Sequence, residues 1–244
     1  WRMRLWLVDA AGNGVAENGV TIGGIGLLAG GKRSKRSYLK VGHLAHGRLR
    51  RTATVGLRRG VKVVGRLSAG GRRKGLRRTL LVYRRTSVQG ARFRPAARIR
   101  TNKRGRFVYR ARRGPSRRLL FVYPGGKGVA GRIATVDVHV RADLGIKADR
   151  RQLRNGEAVK LSGRLRGGKI PPGGALLELR VFTRGSWRPF ATPRTDGKGR
   201  WSYDYRFETV TGTAKFRFRA ALRKQPTYPY TARSRAIGIT VRGL

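Results

Sequence analysis

The chain has 244 residues and no cysteine, which excludes disulfide staples and cysteine-based metal sites and leaves stability to packing. Its 59 Lys+Arg stand against 10 Asp+Glu, a formal net charge of +49. A surface so charged attracts polyanions and repels itself at low salt. Arginine outnumbers lysine 46 to 13, as coding bias in a GC-rich genome would also produce, so charge alone does not separate a selected surface from a merely solvated one.

The first element in chain order is a strand. Trp1, Met3, Leu5 and Leu7 alternate with Arg2, Arg4 and Trp6, the period of a half-buried strand. The segment Asp9–Asn13 reads as a turn and Val20–Ile22 as the returning strand. Residues 1–30 are therefore expected to be the last hairpin of an upstream domain, the chain being a piece of a longer protein. Residues 31–46, rich in Gly, Ser and basic residues, read as a linker. The apolar run 20–31 is too short to span a membrane.

The rest of the chain repeats itself. Phe93-Arg94-Pro95, Thr101, Gly105-Arg106-Phe107 and Tyr109 recur as Trp187-Arg188-Pro189, Thr195, Gly199-Arg200-Trp201 and Tyr203, always 94 residues later, with Asn102 matching Asp196. A strand-rich repeat of this length means two copies of one β domain. The boundaries expected are 47–141 for the first copy and 142–244 for the second.

Within the copies, Leu57-Arg-Arg-Gly60 leads into Val63, Gly65 and Leu67, as Leu153-Arg-Asn-Gly156 leads into Leu161, Gly163 and Leu165. Leu80–Tyr83 and Leu176–Val181 are the next strands. Asp196–Gly199 then turns the chain, glycine supplying positive φ without steric cost. Trp201, Tyr203, Tyr205 and Phe207 share one face opposite Ser202, Asp204, Arg206 and Glu208. Each copy closes on a β-branched strand: Val136, Val138, Val140 and Ile237, Ile239, Val241. About seven strands per copy, with no helical period, predict an all-β chain of two tandem β-sandwich domains.

On these motifs the chain resembles tandem immunoglobulin-like repeats of large secreted or surface proteins of high-GC bacteria. The residues that carry the resemblance are Leu153–Glu157 with Ser162–Leu165, the Thr195–Trp201 hairpin, and Gln225–Tyr230 before Ser234-Arg235. It covers about residues 50–244. The segment ending Val8-Asp-Ala-Ala-Gly-Asn13 is similar to the last hairpin of fibronectin type III-like domains. The first copy departs from the pattern, with Tyr123-Pro-Gly-Gly126 in place of the longer Tyr-Pro-Tyr loop. The resemblance implies a non-enzymatic spacer or adhesive stalk, extracellular or at the cell surface.

Residues able to do chemistry are sparse. Acid–base catalysis needs paired carboxyls with separated pKa values. Asp204 and Glu208 instead lie on an outward strand face beside Arg206, where surface pairing is expected. His43 and His46 lack a third ligand at metal spacing, and His139 faces outward. Gly24, Gly26 and Gly30 are not followed by the helix and Lys-Ser/Thr of a phosphate loop. No catalytic residue, metal site or cofactor is expected.

The basic clusters are the candidate binding residues. Arg72, Arg73, Lys74, Arg77 and Arg78 read as one inter-strand loop, with Arg84 and Arg85 just after; Arg112, Arg113, Arg117 and Arg118 read as a second loop around Gly114-Pro115. Loops project charge, and arginine forks suit phosphate, sulfate and carboxylate. No acid lies between Glu17 and Asp137. The partners expected are anionic polymers, namely wall glycopolymer, polysaccharide or nucleic acid. The alternative reading is a dedicated nucleic-acid binder, for which Tyr228 and Tyr230 are the candidate exposed rings unless they cap the sandwich. A carbohydrate-binding module would need a planar row of exposed aromatics.

Overall fold

The computed structural model describes residues 35–70, 73–126 and 128–243, and the backbone of 7–8 and 14–15. In the latter pieces β1 (Leu7–Val8) and β2 (Gly14–Val15) pair antiparallel. The returning strand expected at Val20–Ile22 lies outside the described residues, as does the candidate cation Arg72.

Ten strands follow: β3 (Ser37–Ala45), β4 (Arg48–Arg50), β5 (Thr52–Gly56), β6 (Val61–Ala69), β7 (Lys74–Gly75), β8 (Thr79–Thr86), β9 (Arg94–Arg100), β10 (Arg106–Ala111), β11 (Arg117–Tyr123) and β12 (Arg132–Arg141). One sheet runs β10-β6-β3-β4, with β7 on β6; the other runs β5-β12-β11-β8-β9. Strand β5 pairs parallel with β12, and every other pairing here is antiparallel. Two facing sheets with this strand order and hand-over are an immunoglobulin-like sandwich.

Most of the segment 31–46, expected to be a linker, is instead a strand of the first sandwich. Residues 37–45 form β3, which pairs with β6 from Ser37↔Ala69 to His43↔Val63. Leu39 and Val41 are buried in the core, with charged Lys40 turned out between them. The basic and glycine-rich flanks hid a period-two strand whose alternation is enough to seat it.

The second copy repeats the plan through β13 (Asp143–Leu144), β14 (Lys147–Ala148), β15 (Gln152–Arg154), β16 (Ala158–Arg166), β17 (Glu178–Thr183), β18 (Ser186–Ala191), β19 (Arg200–Arg206), β20 (Thr213–Leu222), β21 (Ala232–Arg233) and β22 (Ile237–Arg242). Its larger sheet runs β15-β22-β20-β17-β18, again with one parallel pair, β15 on β22. Even the bulge is shared: the register slips between Val82 and Tyr83 in one copy and between Leu179 and Arg180 in the other.

Between the sheets the alternation closes as expected. Leu67, Leu80, Phe121 and Val136 fill the first core, and Leu161, Leu179, Phe218 and Ile239 the second. Phe107 and Trp201 hold matched places opposite Gly65 and Gly163, where a Cβ would lie 2.4 Å from the Phe107 ring and 2.9 Å from the indole nitrogen. The rings of Phe190, Tyr205, Phe207, Phe216 and Phe218 pack edge-to-face or tilted, with centroids 4.9–6.5 Å apart along the series.

No linker separates the copies: β12 ends at Arg141 and β13 begins at Asp143, with Ala142 buried between them. The 225–231 loop reaches back across this join. Pro226 and Pro229 carbonyls accept from the Gln89 and Ser116 amides, and Thr231 exchanges bonds with Ala142 and Val140. Tyr228 and Tyr230, read from sequence as candidate exposed rings, are only 1% and 8% exposed. Their rings meet tilted at 53° with centroids 5.1 Å apart, and the Tyr228 hydroxyl donates to the Gly167 carbonyl. The ring edges thus plug the end of the second sandwich where it meets the first.

Candidate polyanion-binding surface

Strand order sorts the candidate cations to opposite ends of the first sandwich. The 70–78 loop and the 101–105 turn share one end: Leu76 and Gly105 both bond Leu67, and Thr101 bonds Arg78 in both directions. The 86–93 and 112–116 loops form the other end, facing the second sandwich through Gln89 and Ser116. Arg73, Lys74, Arg77 and Arg78 therefore gather at the far end, while Arg84, Arg85, Arg112, Arg113, Arg117 and Arg118 lie toward the junction.

Their fates differ. Arg117 and Arg118 begin β11 instead of lying in a loop. Arg117 is 7% exposed, and its fork donates to the carbonyls of Pro115 and Arg112. Burial lowers its pKa, with the Arg84 charge adding in the same direction and Tyr109 and Tyr230 opposing. This side chain clamps the turn that leads into β11 and is spent on it. Arg118 makes a two-pronged pair with Asp137, at 2.8 and 3.2 Å. Arg85 lies over the Phe93 ring at 4.8 Å. Arg78 is half-buried, its backbone amide held by Thr101 Oγ1 and its guanidinium donating to the Arg77 carbonyl. Arg84, Arg112 and Arg113 are exposed.

At the far end the cations stay free of acids. Arg73 adopts φ of 46° and lies over the Tyr38 ring at 4.8 Å, with Arg36 at 5.7 Å. Beside this, Arg77, Arg100, Lys103 and Arg106 line an open groove of about 610 Å³ with Thr101, Asn102, Phe107 and Val108. All four cations are exposed, and none makes a side-chain hydrogen bond or ion pair among the described residues. Arg100, Lys103 and Arg106 were not among the cations singled out from sequence. They belong to the repeated hairpin, which reads as architecture, and their charges converge with Arg77 only once the two loops bond to Leu67.

The second sandwich uses its cations otherwise. Arg217 stacks on Phe182 and Arg219 on Trp187, each at 3.9 Å, so the outer face of its larger sheet is a layer of guanidinium on aromatic ring. Glu178 pairs with Arg180 and Arg223, and Glu157 lies 3.8 Å from Arg150. Asp149 accepts from the amides of Arg150 and Lys160. Among the described residues no three His, Cys, Asp or Glu converge, and no helix is long and apolar enough to cross a membrane.

No protein-family profile matches the sequence, and no curated protein matches it significantly. Solved structures similar to the chain include the tetra-tandem repeat in the extending region of a large adhesion protein. There the identity is 12%, the TM-score 0.38, and 85% of this chain and 49% of that one are covered. The Yersinia pseudotuberculosis adhesin InvE is similar at 13% identity and TM-score 0.40, over 87% of this chain and 61% of that one. The fibronectin(III)-like modules of Clostridium thermocellum CbhA are similar at 11% identity and TM-score 0.31, over 79% and 89%. The chain thus spans about half to three-fifths of the two adhesion proteins. The fold itself stands on strand order: a tandem of immunoglobulin-like sandwiches joined without a linker.

Proposed function

We propose that this chain is a non-enzymatic structural or adhesive segment of a secreted or cell-surface protein, and that its first sandwich contacts anionic polymers. One observation carries the reading. Residues 35–141 contain a single carboxylate, Asp137, and that one is already paired with Arg118. The large excess of positive charge on this sandwich must be balanced outside it, in solution or on a partner. The linkerless junction supports a spacer role, because it fixes one sandwich against the next by backbone bonds. Against a dedicated nucleic-acid binder stands the state of the rings: Phe107, Trp201, Tyr228 and Tyr230 are buried, the outward Phe182 and Trp187 are already covered by Arg217 and Arg219, and base stacking needs open faces.

The test is retention of the purified chain on immobilised anionic polymers (acidic polysaccharide, wall-type glycopolymer and single-stranded nucleic acid) beside a neutral polysaccharide. Retention that survives about 0.15 M salt on at least one anionic polymer is expected, since exposed charges are screened there beyond about 8 Å and only close contacts hold. Elution of all four below that salt would refute the reading.

A further inference from the structure

The two copies carry the same hairpin with different charges, which makes each the control for the other. Asn102 Oδ1 accepts from the amides of Arg104 and Arg106, at 3.0 and 2.9 Å. Asp196 Oδ1 accepts from the matched amides of Lys198 and Arg200, at 2.8 and 2.7 Å. Both turns close with the same pair of backbone bonds, Asn102 to Arg106 and Gly105, Asp196 to Arg200 and Gly199. The loop before them is matched too, since the Arg78 and Ala175 amides donate to Thr101 and Thr195 Oγ1 respectively.

On this common frame the groove residues can be compared one by one. Arg77 corresponds to Gly174, Asn102 to Asp196 and Lys103 to Gly197, while Arg100 and Arg106 are retained as Arg194 and Arg200. The first copy therefore sets four cations and no acid at this place. The second sets two cations and one acid, so the local charge falls from +4 to +1. The backbone does not require the difference, because asparagine and aspartate make the same turn bonds.

The geometry points to the 77/100–108 groove of the first sandwich as a built oxyanion-binding site for an acidic glycan. This rests on the proposed contact with anionic polymers and says where it occurs and with which class. Arginine forks hold carboxylate and sulfate alike. A volume of about 610 Å³ lies within the usual range for small-ligand sites. The only ring in the lining, Phe107, is 5% exposed and turned into the core, so the groove offers charge, the polar Asn102 and the exposed aliphatic Val108 but no stacking platform. A polymer whose repeats bear charge and hydroxyls fits that lining better than one whose bases need a ring.

Affinities of the full chain for oligogalacturonate, dextran sulfate, neutral dextran and a single-stranded oligonucleotide test it. Asn102→Asp swaps in the second copy's residue and should weaken binding of the acidic glycans roughly tenfold at low salt. Arg59→Gln removes one charge from an exposed loop at the opposite end and should change it less than twofold. Asp196→Asn with Gly197→Lys should strengthen glycan binding by building a second groove. Thermal unfolding of each variant monitors the fold. Carboxylated and sulfated glycans responding alike to Asn102→Asp would support a general oxyanion site, and response of only one would name its charged group. Equal losses for Asn102→Asp and Arg59→Gln would overturn the site while leaving diffuse contact with anionic polymers intact. An oligonucleotide that binds more tightly than either glycan would overturn the ligand class. Failure of the unaltered chain to bind any anionic probe would remove the functional reading itself.

Discussion

Thr101 shows how one buried side chain fixes the end of a sandwich. Its hydroxyl donates to the Leu76 carbonyl and accepts from the Arg78 amide, and the residue is 1% exposed. Thr195 holds the Ala175 amide in the same way. Removing such a hydroxyl leaves its buried partners unsatisfied, at a cost of about 1–3 kcal/mol. Thr101→Val should therefore lower the urea midpoint of unfolding, and more than Thr195→Val does, because two backbone groups lose their partner in place of one. Equal or negligible shifts would show that water replaces the hydroxyl. Gly105 and Gly199 work beside these threonines. Both have positive φ, 73° and 76°, and a Cβ on either would lie within 2.3 Å of the Leu67 or Leu165 carbonyl oxygen. Only glycine meets both demands, which is why the turn keeps it in both copies.

Among elements, the 225–231 loop is the part whose role changes most between sequence and structure. Two tyrosines flanking Pro229 look like a surface loop, yet they close the join between the sandwiches. Burial drives the Tyr228 pKa up from 10.0 to about 12, with the neighbouring Tyr230 adding to it. A phenol whose folded pKa exceeds its unfolded value favours the neutral, folded form. Its contribution is complete below pH 10 and is lost as pH rises through about 12, because the unfolded chain releases the proton first. Stability measured by denaturant midpoint should fall across that window. Tyr228→Phe should flatten the fall, and an unchanged slope would place the titration elsewhere. Arg117 is the matching element-level device on the other side of the join, its fork tying the 112–116 turn to the start of β11.

Across the whole molecule, charge and fold are nearly separate problems. The cores are apolar; Arg117, buried at the junction end, is the exception among cations that otherwise lie toward the surface or stack on outer rings. A chain of +49 with one paired carboxylate in residues 35–141 stores like-charge repulsion that screening relieves. The thermal midpoint should thus rise as salt goes from about 10 mM to 150 mM, while the Debye length falls from about 30 to 8 Å. A midpoint that is flat or falls would mean that ion pairs such as Arg118–Asp137 outweigh the repulsion.

The all-β class, the duplication and the inward faces were legible in the sequence because they follow from local rules. Side chains alternate at period two, a tight turn asks for glycine beside Asn or Asp, and both signals repeat 94 residues apart. Trp201 and Phe207 lie buried where that alternation places them. Tertiary structure alone decided three things: that 37–45 is a strand of the first sandwich, that Tyr228 and Tyr230 seal a junction, and which cations remain free. The physical reason is the same in each case. An arginine is indistinguishable from its neighbours in sequence until the fold brings a carbonyl, a ring or a carboxylate to it. Arg117 meets two carbonyls and is consumed; Arg77, Arg100, Lys103 and Arg106 meet one another across two loops and are left facing solvent.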